Sequence, residues 1–222
     1  MQAVTKKPDH YYRFPRREML QYVPSDARRI LEIGCGDGLF GHALKRNRAS
    51  SGVEIEVTGI EIVAERAAVA ASHLDKVLVA DVERDELELP SSYYDCIVLN
   101  DVLEHLVSPW QALTRLATYL RGGGYVVASI PNVRYWGVIK GLVIDGDWRY
   151  EGDGVLDVTH LRFFTRRSIG RMFEECDYEV INITGINPMV RGWKFELLRL
   201  LSGGALNDIR YWQFAVVAKK RA

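Results

Sequence analysis

The amino-acid sequence predicts an α/β fold in which helices are doubly wound over both faces of a mostly parallel sheet. Short, nearly uninterrupted apolar segments alternate with helical patterns from residue 29 onward, which is typical of parallel strands covered on both faces. The first apolar segment, RILEIG at residues 29–34, runs directly into a glycine-rich stretch. Because doubly wound folds bind ligands at the carboxyl ends of their strands, this stretch is the first candidate site.

The first half of the chain contains five predicted strands and four predicted helices. The strands are residues 29–34, 54–62, 76–81, 93–101 and 125–131, and the helices are residues 16–23, 38–46, 63–74 and 108–120. The last of these helices has a clear start, with Ser108 as the N-cap and Pro109 at the first helical position. The glycines of residues 122–124 are expected to end it.

The regular alternation stops after Pro131. Residues 132–164 contain many aromatic residues and several glycines without a clean period, and they are too numerous for a simple connection. The remaining elements are a helix at 165–176 with Thr165 or Ser168 as N-cap, strands at 178–185 and 209–220, and a second irregular segment at 186–208.

Composition and charge exclude several classes of partner. The 29 basic residues equal the 29 acidic residues, and the basic runs are short, so the clustered cations that bind nucleic acid are missing. The three cysteines lack paired spacing, which argues against a disulfide framework. No uncharged apolar run approaches the ~18 residues of a membrane span, and the N-terminus lacks a signal-peptide pattern. We therefore expect a cytoplasmic protein without a transmembrane segment.

The loop after the first strand indicates its ligand by combining glycines with acids. The alternating glycines are Gly34, Gly36 and Gly38. A dinucleotide fingerprint would need a further glycine at Leu39, and Glu32 and Asp37 would repel a pyrophosphate. S-adenosylmethionine fits better, because it offers a carboxylate to loop amides, an ammonium to an acid, and a cationic sulfur without phosphates.

Two more acids end the next two predicted strands. Glu61 ends the second strand, where this fold places an acid on ribose hydroxyls. Asp81 ends the third strand, where it could accept a hydrogen bond from an adenine amino group, while Ile62 and Val82 flank the ring. The alternative is that Glu61 and Asp81 merely cap the helices that follow.

Five stretches together resemble the motifs of class I S-adenosylmethionine-dependent methyltransferases over roughly residues 10–185. They are LEIGCGDG, GIE, ADVE, YDCIVLNDVLEHL and LRGGGYVVASIPN. The resemblance implies a seven-stranded, Rossmann-like sheet whose last strand is antiparallel and inserted near one edge. It also implies S-adenosylmethionine as cofactor and S-adenosylhomocysteine as product. By similarity, the cofactor-binding residues are Glu32, Gly34, Cys35, Gly36, Asp37, Glu61, Ile62, Asp81, Val82 and Asn100.

On this interpretation residues 1–222 form a single methyltransferase domain. Residues 1–24 are an N-terminal arm and helix, residues 25–131 the cofactor-binding core, and residues 132–164 an aromatic-rich insert that covers the acceptor. Residues 165–222 add the C-terminal helix and strands with the second insert at 186–208.

Methyl transfer to oxygen requires an aligned acceptor and benefits from a general base. The candidate bases are His160, with Asp157 placed to orient its ring, and His105. The alternatives are structural: His105 makes a local hydrogen bond, or His160 bonds a loop backbone while Arg162 pairs with an acid to pin the insert. No set of His, Cys and Asp residues has convincing metal spacing, so we expect no metal.

The acceptor is expected to be a small molecule. Residues 146–165 resemble a segment of bacterial methyltransferases associated with surface-polysaccharide and glycan assembly, which favours O-methylation of a sugar or glycan precursor. The aromatic residues of the two inserts equally suit a quinone-like or aromatic metabolite, and some of them can simply be the insert's own core. A non-catalytic cofactor-binding protein is the third alternative. Residues 193–201 have helical spacing, and a lid, a homodimer contact or a membrane-surface contact is expected there.

Overall fold

One seven-stranded sheet organises the fold, and the structure, a computed structural model, describes residues 14–190 and 192–221. The strands are β1 (Arg29–Ile33), β2 (Glu56–Glu61), β3 (Lys76–Val79), β4 (Tyr94–Asn100), β5 (Leu120–Pro131), β6 (Tyr178–Pro188) and β7 (Tyr211–Lys220). Their order in the sheet is β3-β2-β1-β4-β5-β7-β6. Strands β1 to β5 pair in parallel, and β7 is antiparallel to both β5 and β6. The predicted fold, with its inserted antiparallel last strand, is confirmed; residues 1–13 of the predicted arm lie outside the described residues.

Helices cover both faces of this sheet. They are α1 (Leu39–Ala49), α2 (Ala64–Ala70), α3 (Pro109–Leu116), α4 (Trp136–Lys140), α5 (Arg166–Glu175) and α6 (Trp193–Leu201). Buried residues of α1 and α2 share one apolar cluster, and buried residues of α3 and α5 share another. Strand β4 joins both clusters, since Ile97 and Leu99 face one and Cys96 and Val98 face the other. The core therefore has the two layers of a doubly wound fold.

Two predicted helices differ in the structure. Residues Arg17–Tyr22 form a 3₁₀ helix with Met19 buried, in place of the predicted α-helix. Helix α3 ends at Leu116, because Leu120 already pairs with Tyr94 of β4 as the start of β5. The glycines 122–124 thus lie inside β5, next to a register shift between β4 and β5, and Gly123 has a φ of 68°.

The predicted helix starts are confirmed in position. Thr165 and Ser168 together form a capping box at α5, in which each side chain accepts a hydrogen bond from the other's backbone amide. Ser108 is the N-cap of α3 with Pro109 following it, but its side chain makes no capping hydrogen bond. Its amide instead donates to the Glu83 carboxylate at 2.8 Å.

The state of the cysteines and the length of the helices can be compared with what the composition predicts about disulfides and membrane spans. Cys35, Cys96 and Cys176 are free and buried, and burial raises the pKa of each thiol, so all three are poor nucleophiles. Among the described residues, we find no helix with the length and apolar character needed to cross a membrane.

A buried carboxylate, Asp95, holds together the amino ends of three strands. Its Oδ2 accepts hydrogen bonds from the amides of Arg28 and Arg29 at 2.8 and 2.9 Å. Its Oδ1 lies 3.3 Å from the Arg29 guanidinium and 2.7 Å from that of Arg121, at the start of β5. Burial alone would raise the pKa of Asp95, but these amide and guanidinium contacts outweigh burial and lower the pKa.

We expect Asp95→Asn to lower the free energy of unfolding at pH 7 by about 1–3 kcal/mol, because charge-assisted hydrogen bonds are lost in a buried place. A lowered pKa adds stability above the pKa of the unfolded state, and this stability is lost as pH falls through the folded pKa. The difference between wild type and variant should therefore narrow below about pH 4 in urea titrations. Asp145→Asn, in an exposed pair with Lys140, is the control and should change stability by under ~0.5 kcal/mol.

Candidate functional site

The glycine loop joins β1 to α1 and is closed against β2. Its three glycines have left-handed φ values of 65°, 54° and 77°, which residues with a Cβ rarely adopt. The amides of Gly34 and Cys35 donate to the carbonyl of Ile60 at 2.8 and 3.1 Å, and the amide of Gly38 donates to the Cys35 carbonyl. The loop is therefore shaped by hydrogen bonds within the protein.

Glu61, at the end of β2, fastens the tip of this loop. Its Oε2 accepts from the amide of Gly36 at 2.8 Å, and its Oε1 accepts from the amide of Val63 at 2.9 Å. Burial raises the pKa of Glu61, and these amide bonds partly offset that effect. The sequence-based picture placed a ligand carboxylate on the loop amides, whereas four of them donate within the protein here. Glu61 also bonds Val63, the N-cap residue of α2, as the capping alternative expected.

Glu32 lies beneath the loop and not on its open side. It is 3% exposed, and its Oε2 accepts from the amide of Gly41 in the first turn of α1 at 3.1 Å. Gly41 is needed there, since a Cβ would meet that oxygen at 2.8 Å. Burial, with a smaller contribution from the charge of Glu61, raises the pKa of Glu32 to about 8. Glu32 is therefore largely protonated at neutral pH.

Cys35 and Asp37 contribute to the loop from its protein side. The Cys35 sulfur packs closely against Gly59, since a Cβ added to that glycine would lie only 2.7 Å from the sulfur. The Asp37 carboxylate pairs with Arg66 at 3.4 Å, and its carbonyl accepts from His73 at 2.7 Å. Both side chains thus fix the loop to neighbouring elements.

The two apolar residues predicted beside an adenine ring differ in exposure. Ile62 follows β2 and is 48% exposed, whereas Val82 is buried. Asp81 accepts from the Glu83 amide at 2.9 Å and lies 3.6 Å from Arg84, with a quarter of its side chain exposed. An exposed apolar side chain beside a partly exposed acid can hold a flat ring with a polar edge.

Asn100, at the carboxyl end of β4, is the residue whose state most clearly calls for a ligand. Both polar atoms of its side chain are buried, and neither has a hydrogen-bond partner among the described residues. Unpaired buried amides are costly and uncommon. The acids, glycines and exposed apolar side chain around this edge fit S-adenosylmethionine, which would supply an electrophilic methyl group on a cationic sulfur.

A second group of predicted residues lies just beyond β4. The 3₁₀ turn Leu103–His105 follows that strand, and the carbonyl of Glu104 accepts from the amides of Leu161 and Arg162 at 2.8 and 3.0 Å. These bonds bring the end of the first insert against the turn. As a result the rings of His105 and His160 lie 4.7 Å apart, edge to face.

Hydrogen bonds orient both histidines at Nδ1. The Thr159 hydroxyl donates to Asp157 at 2.7 Å, so it can only accept from Nδ1 of His105, which lies 3.2 Å away. Nδ1 of His160 lies 3.0 Å from the Val155 carbonyl and must donate to it. Asp157 thus acts on His105 through Thr159. The Arg162 side chain donates to the Val107 carbonyl at 3.1 Å from Nε, so it holds the insert through a main-chain carbonyl and not through the acid that its structural alternative expected.

Glu104 completes this group and was missed by the sequence-based search. It is 1% exposed, and neither carboxylate oxygen has a hydrogen-bond partner among the described residues. Burial, followed by the charge of Asp101, raises the pKa of Glu104 well above its ordinary value. The only signal in the sequence was an acid between Leu103 and His105 in an otherwise apolar turn.

An aromatic group from the first insert adjoins the two histidines. Phe163 is 6.4 Å from His160, 5.3 Å from Trp148 and 6.4 Å from Tyr150, measured between ring centroids. Phe164 is buried, as the core alternative expected. In the second insert, Phe195 is buried beneath the Arg210 guanidinium, and Trp193 is 72% exposed.

Comparison with known proteins agrees with this geometry. A family model described as a methyltransferase domain matches residues 9–183. The chain is 28% identical over 177 residues to a ubiquinone biosynthesis O-methyltransferase of Aeromonas salmonicida (strain A449), covering 77% of this chain and 71% of that protein. It is 29% identical over 117 residues to one of Paracidovorax citrulli (strain AAC00-1), covering 50% of this chain and 46% of the relative. A crystal structure of an S-adenosylmethionine-dependent methyltransferase from Archaeoglobus fulgidus superposes with a TM-score of 0.64 at 19% identity, over 96% of this chain and 95% of that one.

The raised pKa of Glu32 predicts how stability depends on pH. Between the unfolded pKa near ~4.3 and the folded pKa of about 8, the folded chain binds the extra proton, so wild-type stability falls as pH rises. Glu32→Gln mimics the protonated acid and should be more stable than wild type at pH 8 by about 2 kcal/mol or more. Urea unfolding from pH 5 to 9 measures this. Glu54→Gln, at an exposed acid, should follow the wild-type profile, and a Glu32→Gln curve parallel to wild type would contradict the assignment.

Removal of the Asn100 amide should separate cofactor affinity from stability. Asn100→Ala leaves no buried group unpaired, so we expect the free energy of unfolding to change by less than about 1 kcal/mol. Affinity for S-adenosylhomocysteine should fall about tenfold or more, because two ligand hydrogen bonds are lost. Calorimetry measures the affinity, with the exposed Asn182→Ala as control. Unchanged affinity in Asn100→Ala would place the cofactor elsewhere.

Proposed function

The chain belongs to the methyltransferase domain family and is an S-adenosylmethionine-dependent methyltransferase, and we propose that its acceptor is a hydroxyl on a flat, quinone-like or phenolic ring. The single observation that carries this proposal is the aromatic group of Phe163, Trp148 and Tyr150 beside His160. Aromatic side chains favour stacked or edge-to-face contact with a planar ring. A ring held there would present its hydroxyl to the two histidines.

The named relatives support oxygen as the atom that is methylated. The two relatives described above are both ubiquinone biosynthesis O-methyltransferases. That name concerns an oxygen on a quinone precursor, which is the chemistry that a flat aromatic pocket suits. The acceptor of this chain remains our proposal, since the relatives share under a third of its residues.

The cofactor would lie along the carboxyl edge of β1 to β4. Asn100 would use its unpaired amide on the cofactor, and Ile62 and Asp81 would border the adenine ring. Glu61 and the glycine loop would shape the ribose and methionine end, with Glu32 supporting the loop from below. This assignment differs from the sequence-based one in giving Glu32, Cys35 and Asp37 indirect roles.

The reaction moves one methyl group between two heteroatoms. The acceptor hydroxyl loses its proton, its oxygen forms a bond to the methyl carbon, and the carbon–sulfur bond breaks with its electron pair left on sulfur. S-adenosylhomocysteine is the second product. His105 and His160 are the groups placed to activate the hydroxyl, with Asp157 and Thr159 positioning His105.

A sugar or glycan precursor is the second candidate acceptor. Charged and exposed residues alternate with the insert's aromatic residues, as in Asp147, Trp148, Arg149 and Tyr150. Aromatic faces with polar neighbours also suit a sugar ring and its hydroxyls. A binding protein without turnover is less well supported, because the unpaired buried atoms of Asn100 and Glu104 both lie where a reaction would need them.

An acceptor panel tests the proposal. With labelled S-adenosylmethionine, catechols and hydroxylated quinone precursors should be methylated at least tenfold faster, by kcat/KM, than nucleotide-linked sugars. His160→Ala should reduce turnover by about 10²–10⁴ while affinity for S-adenosylhomocysteine stays unchanged.

Three outcomes would contradict the proposal. Preference for sugars would favour the second candidate, and tight cofactor binding without turnover on any acceptor would favour a binding protein. A loss below tenfold in His160→Ala would leave that residue with a structural role.

A further inference from the structure

We propose that Glu104, His105 and His160 form a binding site for one divalent transition-metal ion of the zinc class. A ligand atom from each of these residues lies within 4.8 Å of the others. Two imidazoles and one carboxylate are a common set of protein ligands for zinc in open sites. Glu104 lies four residues beyond Asn100 in the chain.

The carboxylate of Glu104 is the strongest argument for a cation. Both of its oxygens are buried without a hydrogen-bond partner among the described residues. A buried carboxylate in this state costs several kcal/mol unless it is protonated or paired. Its own carbonyl is held by the amides of Leu161 and Arg162, so the turn cannot easily move to expose the side chain.

The hydrogen bonds at Nδ1 prepare both histidines as ligands. A main-chain carbonyl or a hydroxyl faces Nδ1 of each ring, which places the proton on Nδ1 and the lone pair on Nε2. This is the second layer of contacts that orients histidines in metal sites. The chain from Asp157 through Thr159 to His105 is the carboxylate-supported form of that arrangement.

The surrounding charges also favour a cation. Asp101, Asp157 and Arg16 are the charged side chains that interact electrostatically with Glu104. Arg16 is already paired with Asp101 at 2.9 Å. Three carboxyl groups and one guanidinium group are thus present around this site, a composition that suits a divalent cation.

The ligand set selects the metal class. Imidazole nitrogen suits zinc, copper, iron and nickel, whereas magnesium prefers six oxygen ligands in octahedral geometry. Three protein ligands leave at least one position open for water or substrate. The sequence-based expectation of no metal missed this set because 55 residues separate His105 from His160.

This site would deepen the proposed function, on which its catalytic role rests. A bound divalent ion lowers the pKa of an oxygen that it contacts. With Nε2 of both rings on the ion, His105 and His160 would activate the hydroxyl through the ion and not as bases. The ion would bind the hydroxyl oxygen, and the proton would leave to water before the oxygen attacks the methyl carbon. Neighbouring oxygens of a catechol could both reach the ion, which would align one of them with the sulfur–methyl bond.

Metal binding can be tested without any acceptor. Chelator-treated wild-type chain is titrated by calorimetry with Zn²⁺ and separately with Mg²⁺, and with Co²⁺ while its visible absorption is recorded. We expect one Zn²⁺ per chain, binding at least tenfold tighter than Mg²⁺, and a Co²⁺ absorption band typical of nitrogen and oxygen ligands. Zn²⁺ should also raise the Tm. Wild-type protein without saturable Zn²⁺ binding and without a Co²⁺ band would overturn the proposal.

Variants assign the site. Glu104→Gln and His160→Ala should each weaken Zn²⁺ binding at least tenfold, since even an outer contact is worth about 10–100-fold. His42→Ala is the matched control, because His42 belongs to the other histidine pair, 5.1 Å from His73. If His42→Ala alone weakens binding, the metal lies at that pair and the proposal fails.

The catalytic role has a separate readout. Failure of the acceptor panel would leave the binding result standing, whereas equal turnover by metal-free and zinc-loaded protein on a methylated catechol would overturn the role in activation. Should Glu104→Gln fail to fold, His105→Ala and the wild-type Co²⁺ spectrum decide the assignment.

Discussion

The burial of carboxylates at the carboxyl edge of a parallel sheet is the constraint that governs this protein. Glu32, Glu61 and Glu104 are each at most 5% exposed at or just after strand ends, where an ionised acid needs compensation. Main-chain amides donate to Glu32 and Glu61, and Glu32 is in addition largely protonated at neutral pH. Glu104 has no such partner among the described residues. The same edge thus contains two acids that accept hydrogen bonds from the main chain and one acid, Glu104, whose carboxylate could accept a ligand.

This distinction changes how the glycine loop acts. Its sequence suggests that bare amides await a ligand carboxylate, but Gly34, Cys35, Gly36 and Gly38 donate within the protein. The glycines therefore provide the left-handed turn and close packing, and hydrogen bonds within the protein set the shape of the loop. The unpaired amide of Asn100, one strand away, is where polar recognition is still available.

Much of the fold was predictable, because strand and helix periods are local properties. The alternation from residue 29, the helix starts at Pro109 and Thr165, and the strand 209–220 all followed from nearby residues. The predicted end of α3 was wrong because Leu120 pairs with Tyr94 as the start of β5, and no local sequence pattern reveals that pairing. The positions of Glu61 and Asn100 at strand ends were predictable strand by strand. The grouping of Glu104 with His160 was not, since it depends on backbone bonds across more than fifty residues.

The Glu104 carbonyl accepts hydrogen bonds from the amides of Leu161 and Arg162, and these bonds bear on how the choice of acceptor could change between related proteins. They fasten the returning end of the insert next to His160 through main-chain atoms, whereas most side chains of residues 142–150 are exposed. On the proposed function, the exposed part of that stretch could be exchanged while these main-chain bonds keep His160 in place. In the proposed function, the residues that would select the acceptor are thus separate from the histidines that would activate it. Grafting residues 142–150 between homologues would then be a direct way to change the acceptor.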